Sequence, residues 1–324
     1  MTSYSQSVSR IIDFSYQILS DFAINKNPKN LYSPINYMLS NQGKHIRPIL
    51  SLLSNYMFGG NMHDMKEIVL SIEKLHNFTL IHDDVMDNAQ LRRGVPTINI
   101  KWSDNQAILS GDVLLIKSYQ QLLKSKIINK QILNEFTETS IKICEGQQLD
   151  LDFQFESNIK LEDYLNMIDL KTGALIQFCL VVPCILLDVS KKDIQVMEEV
   201  GSYLGKLFQI QDDYLDLYGD ESDFGKKIGG DIIEKKKTFL YVSALNKSNI
   251  EVQCELQKIY NSDNSDKLDN IISIYHDLNI KEDVQVTINN MYEKILKLLS
   301  TVQFQDDRQK FFIEFLNRVL NRNY

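Results

Sequence analysis

The chain has 324 residues, of which 44% are hydrophobic and 24% are charged, and its formal net charge at pH 7 is −8. This composition is that of a globular protein, and the length allows a sizeable core. The negative charge argues against general nucleic-acid binding, so any phosphate site must be built from local basic residues. Four cysteines occur without a C-x-x-C pair. We therefore expect reduced thiols in a cytoplasmic protein.

Helical periodicity runs along the chain, which has only 13 Gly and 5 Pro to interrupt it. Apolar residues recur at steps of three and four, the pattern of amphipathic helices that face a core. The segment 92–102, which contains Gly94 and Pro96, is predicted to be a loop, and the charged segment 219–237 a mobile flap. Helices are predicted at 7–24, 34–57, 65–82, 105–124, 130–153, 161–187, 191–218, 237–246, 250–261, 264–277, 281–300 and 307–321.

No Pro-, Gly- or Ser-rich linker and no fixed-period repeat divides the sequence. We therefore predict one all-α domain over residues 1–324. The first 22 residues lack a continuous apolar stretch, so no signal peptide is expected. The longest apolar run, 174–187, is shorter than the about 20 residues that span a bilayer. It is predicted to be a buried core helix and not a membrane span.

Two acidic motifs with the pattern D-D-x-x-D lie at 83–87 and 212–216, each at the end of a predicted helix. The outer aspartates of a motif are four residues apart and lie about 40° apart around a helix, whereas the middle aspartate points about 100° away. A like-charged i,i+4 pair at a helix C-terminus destabilises the helix. Such a pair, present twice, predicts compensation by cations, and Mg²⁺ is the cation that carboxylate oxygens suit best.

A single acidic motif is equally well explained as a solvated helix end. The two copies here each follow an apolar stretch, F-T-L-I at 78–81 and L-F-Q-I at 207–210. Apolar walls below paired carboxylates suit a ligand with a hydrocarbon tail and an anionic head.

Basic residues surround both motifs. Lys44 and Arg47 lie in G-K-H-I-R-P at 43–48, and Arg92-Arg93 follows the first acidic motif by five residues. Further lysines lie at 226–227 and 235–237, beyond the second motif. Arginine forks and lysine point charges are the usual ligands of a diphosphate, although each cluster alone is as well explained as solvated surface.

The sequence closely resembles the trans-isoprenyl diphosphate synthases, or polyprenyl synthetases, in order over roughly residues 30–245. One departure is His45, where the family usually has Lys or Arg, and we expect it to weaken diphosphate binding slightly. The resemblance is carried by G-K-H-I-R-P at 43–48, L-I-H-D-D-V-M-D at 80–87, R-R-G at 92–94, G-D at 111–112, G-Q at 146–147, K-T-G at 171–173, F-Q-I-Q-D-D-Y-L-D at 208–216, and the stretch from G-K at 225–226 through G-D at 230–231 to K-K-T at 236–238.

The resemblance implies the isoprenoid synthase fold, a single-domain, all-α bundle of antiparallel helices around a central active-site cavity, and a homodimer. It implies that isopentenyl diphosphate is held by Lys44, Arg47, His76 and Arg93, and the allylic diphosphate by Arg92, Lys171, Lys226 and Lys236. Thr172 and Gln209 would lie next to the reacting carbons. Asp83, Asp87, Asp212 and Asp216 would hold Mg²⁺, about three ions per active site with substrate bound, or Mn²⁺ as an alternative.

The implied reaction is Mg²⁺-assisted ionisation of the allylic diphosphate, condensation with isopentenyl diphosphate and loss of a proton. The flap at 219–237 would close over it and exclude water. By the resemblance, Phe78 and Thr79 set the chain length, and the bulky Phe78 favours farnesyl or geranylgeranyl diphosphate. A medium- or long-chain polyprenyl synthase is the alternative.

Two other classes of function compete with this interpretation. A terpene cyclase of related fold would need a different second motif in place of D-D-Y-L-D at 212–216. A non-catalytic partner subunit of a heteromeric synthase would usually have lost one acidic motif or the arginine pair, and both are present here.

Overall fold

A computed structural model describes residues 5–20, 22–41, 43–219 and 229–320. Sixteen α-helices lie within these ranges, and the all-α fold class predicted from the sequence is confirmed. The helices are α1 Gln6–Leu19, α2 Lys29–Ser40, α3 Ile46–Met57, α4 Lys66–Met86, α5 Ile98–Lys101, α6 Asp104–Leu122, α7 Lys130–Phe153, α8 Leu161–Ile168, α9 Ala174–Leu186, α10 Lys191–Tyr218, α11 Gly230–Ile233, α12 Phe239–Lys247, α13 Ile250–Tyr260, α14 Lys267–Asp277, α15 Ile280–Leu299 and α16 Gln309–Leu320.

Shorter elements join some of the helices. Two 3₁₀ turns lie at Met62–Met65 and Gln305–Asp307, and a π-helical turn at Asp169–Gly173 connects α8 to α9. The strands β1 Leu91–Arg92 and β2 Val95–Pro96 form a small antiparallel hairpin in which Leu91 pairs with Pro96.

The chain divides into two compact units. The first contains the described residues of Met1–Ile141, Leu175–Gly201 and Leu299–Tyr324, and the second those of Lys142–Ala174 and Ser202–Leu298. The expectation of a single domain stays a prediction.

The core of the first unit is centred on α4, which packs against α6. Ile68, Ile72 and Leu75 of α4 are fully buried, and so is Leu114 of α6. Since apolar residues lie on nearly every face of α4 up to Ile81, other helices must surround it. The rigid position of α4 matters because the first acidic motif lies at its C-terminal end.

Three tyrosines of the second unit, Tyr241, Tyr260 and Tyr275, are fully buried. The rings of Tyr241 and Tyr260 have their centroids 4.2 Å apart. The Lys237 ammonium lies 4.3 Å from the centroid of the Tyr241 ring and 3.3 Å from its hydroxyl. This packing holds the N-terminus of α12 in place.

Three predicted segments differ from the structure. The helix expected at 34–57 is two helices, because the chain between Ser40 and Ile46 includes Gly43 and a left-handed His45 with φ of 50°. The loop expected at 92–102 contains strands of the hairpin and α5. Within the flap expected at 219–237, residues 220–228 lie outside the described residues, and the short helix α11 follows them.

The apolar run noted in the sequence is part of a longer helical stretch. α8, the π turn and α9 form a continuous run, Leu161–Leu186, whose 26 residues are enough by length and composition to cross a membrane. The most apolar window of the run is 72% buried inside the protein, as a core helix would be. The sequence-based expectation of a run too short to span was therefore wrong about length.

Candidate active site

The first acidic motif occupies the last turn of α4. Asp84 is buried, whereas Asp83 and Asp87 are partly exposed. Arg92 of β1 donates its Nε–H to Oδ1 of Asp84 at 2.7 Å, and its Nη2 lies 3.6 Å from Oδ2 of Asp83. Burial raises the pKa of Asp84, and the Arg92 guanidinium opposes that rise. The middle aspartate thus anchors the hairpin to α4 through Arg92. The expectation that Mg²⁺ compensates the i,i+4 pair of Asp83 and Asp87 stays a prediction.

The basic segment 43–48 and Arg93 come together in the first unit. The Arg93 Nη1 donates to the backbone oxygen of Asn41 at 2.5 Å. A Cβ at Gly43 would be 2.7 Å from Nη2 of Arg93, so glycine leaves room for the guanidinium. Lys44, next in the chain, is exposed.

Arg47 and His76 form a second pair in the same unit, with Nη1 of Arg47 at 3.1 Å from Nε2 of His76. Because a guanidinium can only donate, Nε2 is the acceptor. Burial, and then the charges of Arg47, Arg93 and Arg92, lower the pKa of His76 well below its usual range. His76 is therefore neutral, with its proton on Nδ1, and orients Arg47 without adding charge.

The side chain of His45 is buried and contacts Glu73. It is only 6% exposed, and its Nδ1 lies 3.2 Å from Oε1 of Glu73. Asn77 donates to the same Glu73 oxygen at 3.2 Å. This side chain therefore ties the loop to α4, and the expectation that His45 slightly weakens diphosphate binding stays a prediction.

In the second unit, the π turn presents Lys171 and Thr172. Gly146 of α7 allows its close approach, because a Cβ there would be 2.2 Å from the Lys171 backbone nitrogen. Gly205 of α10 likewise lets the backbone of Gly173 pack closely, because a Cβ at residue 205 would be 2.3 Å from the Gly173 Cα. The Lys171 ammonium contacts Oδ2 of Asp150 at 2.6 Å.

The second acidic motif lies in α10, and Asp213 is buried while Asp212 is exposed. Asp213 accepts three hydrogen bonds: from the Tyr164 hydroxyl at 2.6 Å, the Phe239 backbone N–H at 2.7 Å and Nε2 of Gln209 at 3.0 Å. Burial raises the pKa of Asp213 to about 6, and the hydrogen bonds, led by that of Phe239, oppose the rise. The two motifs therefore use their middle aspartates alike, as buried anchors.

The remaining predicted residues of this unit lie near α11. Oδ2 of Asp216 accepts the backbone N–H of Asp231 at 3.0 Å. Lys236 is half-exposed and contacts Oε2 of Glu234 at 3.1 Å. Lys226 lies outside the described residues.

The two residues predicted to set chain length lie one turn or so before the first acidic motif on α4. Phe78 is buried, and its ring centroid lies 4.7 Å from that of His82. His82 in turn reaches the backbone oxygen of Ile108 at 3.1 Å, and a Cβ at Gly111 would be 2.2 Å from its Nε2. The Thr79 hydroxyl donates to the His76 backbone oxygen at 2.8 Å.

Among the described residues, no group of three His, Cys, Asp or Glu side chains could enclose a metal ion. Mg²⁺ does not need such a cage, since it is commonly held by one or two carboxylates together with water and substrate phosphates. In each motif the outer carboxylates are partly or fully exposed, while the middle one is buried. The donors fit Mg²⁺ that arrives with a diphosphate.

Sequence reasoning missed Glu73, Asp150 and Tyr164, each of which contacts a predicted site residue or its motif. Tyr164 is 49 residues from Asp213 along the chain. Such long-range partners leave no local pattern.

Helices that carry two D-D-x-x-D motifs, with arginines and lysines beside them, define a class of enzymes that handles diphosphates. The family model described as Polyprenyl synthetase matches residues 28–278, and the chain belongs to this family. The prediction of a prenyltransferase is thereby confirmed.

Curated proteins and a solved structure agree with this membership. A short chain isoprenyl diphosphate synthase of Methanothermobacter thermautotrophicus is 38% identical over 224 residues, 68% of this chain and 69% of that protein. A geranylgeranyl diphosphate synthase of Sulfolobus acidocaldarius is 36% identical over 76% of each chain. A crystal structure of a geranylgeranyl pyrophosphate synthase matches with a TM-score of 0.90 and 31% identity over 100% of both chains.

Proposed function

We propose that the protein condenses isopentenyl diphosphate with an allylic diphosphate (dimethylallyl, geranyl or farnesyl diphosphate) and releases a short-chain prenyl diphosphate and diphosphate. The allylic C–O bond breaks, the double bond of isopentenyl diphosphate attacks the resulting cation, and a proton is lost. Relatives named as short-chain and geranylgeranyl synthases support this class of product.

The first unit would bind isopentenyl diphosphate. Lys44, Arg47 and Arg93 supply the positive charge, and His76 keeps the Arg47 guanidinium oriented through its 3.1 Å contact. A bidentate arginine matches phosphate oxygens better than a point charge does. The fixed Arg47 therefore serves as a preorganised ligand.

The allylic diphosphate would be held by Arg92, Lys171, Lys226 and Lys236. The outer aspartates, Asp83, Asp87, Asp212 and Asp216, would hold about three Mg²⁺ ions with the substrate. Bound Mg²⁺ supplies neutralisation of the charge that grows on the departing diphosphate. Thr172 and Gln209 would present oxygen dipoles to the cation.

The observation that carries the proposal is the matched use of the two motifs: the middle aspartate is buried in each, and the outer pair is more exposed. It is tested by incubating the protein with Mg²⁺, isopentenyl diphosphate and each allylic starter, followed by chromatography of the products. D83A and D212A should each lower kcat by about 100-fold or more while the circular dichroism stays helical. D269A, at an exposed aspartate of α14, is the matched control. Near-normal turnover in D83A or D212A would refute the assignment.

We further infer a homodimer in the cytoplasm. Helix α6 and its C-cap residue expose Leu109, Ile116 and Leu123, large apolar residues at seven-residue spacing, with exposures of 57%, 66% and 63%. An exposed apolar stripe of this kind marks an interaction surface. Light scattering should give twice the chain mass for the wild type and the mass of one chain for I116D; a monomeric wild type would contradict the dimer.

A further inference from the structure

Five groups in the second unit form one connected set of hydrogen bonds. The Thr172 hydroxyl donates to Oε1 of Gln209 at 3.1 Å, and Nε2 of Gln209 donates to Oδ1 of Asp213 at 3.0 Å. On the far side, Oδ2 of Asp213 accepts from the Tyr164 hydroxyl at 2.6 Å and the Phe239 N–H at 2.7 Å. The connected set runs from the π turn, through α10, to α8 and the start of α12.

The chemistry of Asp213 determines which way the Gln209 amide faces. A carboxylate is acceptor-only, so the amide nitrogen of Gln209 must face it. The amide oxygen is then left on the opposite side, toward Thr172. Asp213 cannot turn away, because its other oxygen is held by two donors at the same time.

We propose that Tyr164 and Asp213 are positioning residues that lock the Gln209 carbonyl toward Thr172, so that an oxygen dipole and not an N–H faces the reacting carbons. This inference rests on the proposed function, in which Gln209 and Thr172 flank the allylic cation. A carbonyl oxygen stabilises a nearby positive charge, whereas an amide N–H would repel it. The lock acts through Gln209, since Tyr164 is itself buried at 2% exposure.

The proposal predicts that the D213N substitution reverses the orientation of the Gln209 amide. In D213N the Tyr164 hydroxyl and the Phe239 N–H still need an acceptor, so the oxygen of the new amide faces them and its NH₂ faces Gln209. Gln209 must then turn its oxygen to that NH₂ and its own NH₂ toward Thr172. The dipole beside the reacting carbons changes sign with almost no change of shape.

The proposal also predicts a rescue. In the double variant D213N/Q209E the carboxylate and the amide have exchanged places. One oxygen of the new carboxylate accepts from the new amide, and the other accepts from the Thr172 hydroxyl, as the Gln209 carbonyl does in the wild type. The acceptor toward Thr172 is restored, and the number of carboxylates is unchanged.

The experiment measures kcat, KM for both substrates, and the share of allylic diphosphate lost to water as the allylic alcohol. D213N should lower kcat by about 100-fold with each KM within about threefold of wild type, and raise the alcohol share. Y164F, which only loosens the lock, should lower kcat by about tenfold. D213N/Q209E should regain at least about tenfold over D213N.

Several results would overturn the proposal. If Asp213 acts only as a metal ligand or a fold anchor, the double variant stays as inactive as D213N. A kcat of Y164F within about twofold of wild type, or losses that appear equally in KM, would also overturn it. Should D213N fail to fold by circular dichroism, the result for Y164F decides. An inactive wild type would instead refute the proposed function.

Discussion

Gly146 of α7 lies directly against the backbone of Lys171. A Cβ at residue 146 would be 2.2 Å from the Lys171 nitrogen and 2.7 Å from its Cα, closer than real Cβ contacts come. Backbone cannot yield as the end of a flexible side chain can. The position of the π turn, and with it that of Lys171 and Thr172, therefore depends on the missing side chain at 146.

G146A should displace the π turn and lower kcat by about tenfold or more, while the protein stays folded. Alanine favours a helix over glycine by about 1 kcal/mol, so weakened helix propensity cannot explain a loss. The check is steady-state kinetics together with thermal unfolding, with the exposed Glu145 changed to Ala as the control on the same helix. Wild-type kinetics in G146A would mean that the turn tolerates displacement.

R47K should raise the KM for isopentenyl diphosphate by about tenfold, with little change in that for the allylic partner. Lysine keeps the charge but loses the guanidinium fork, and with it the contact to His76. K236Q should instead raise the KM for the allylic diphosphate, with little change in that for isopentenyl diphosphate. The measurement is KM for each substrate with the other saturating, and R10K, at an exposed arginine of α1, is the control. Equal effects of R47K on both substrates would show that the pocket is divided differently.

The sequence predicted the acidic motifs and the helices that carry them, but not the residues that hydrogen-bond to the buried aspartates. Periodicity located the helices, and the angle of about 100° between neighbours on a helix already separated Asp84 and Asp213 from the outer aspartates. What buries Asp213 could not be predicted, because Tyr164 comes from a distant helix. The partner of His45 could not be predicted for the same reason, because Glu73, which holds His45 in the interior, lies 28 residues away along the chain.

Lys74 should make stability depend on pH in the alkaline range. It is 7% exposed, its ammonium donates to Oε1 of Gln121 at 2.7 Å, and burial lowers its pKa to about 8. The unfolded chain keeps the proton up to the ordinary value of 10.5. Between these values the unfolded state binds more protons, so the contribution of Lys74 to stability rises with pH.

Urea unfolding at a series of pH values gives the free energy of unfolding of the wild type and of K74M. Relative to K74M, the free energy of unfolding of the wild type should increase between about pH 7.5 and about pH 10, by up to about 3 kcal/mol. Lys124, which donates to the same Gln121 oxygen at 3.2 Å, is unchanged in this variant and leaves that oxygen a donor. K66M, at an exposed position of the same helix, is the control. A difference that is flat across this range would mean that Lys74 keeps its charge in the folded protein.

Phe78 is expected to close the channel that receives the growing chain. It lies five residues before Asp83, about 7.5 Å along the helix axis, and its ring is held edge-on at 4.7 Å from that of His82. His82 is itself confined by Gly111. An aromatic ring at this depth favours a short product, and geranylgeranyl diphosphate is expected because Thr79 beside it is small.

F78A should lengthen the product while total condensation falls little, because the floor is removed but the diphosphate ligands are untouched. Since Phe78 is only 8% exposed, its loss should also cost about 3–5 kcal/mol of stability. F58A, at a phenylalanine that packs against Phe304 at 5.1 Å, controls for an aromatic lost elsewhere in the same unit. Chromatography of the dephosphorylated products gives the distribution. If the wild type already releases long quinone-type chains, or if F78A leaves the distribution unchanged, Phe78 is an ordinary core residue and the channel ends elsewhere.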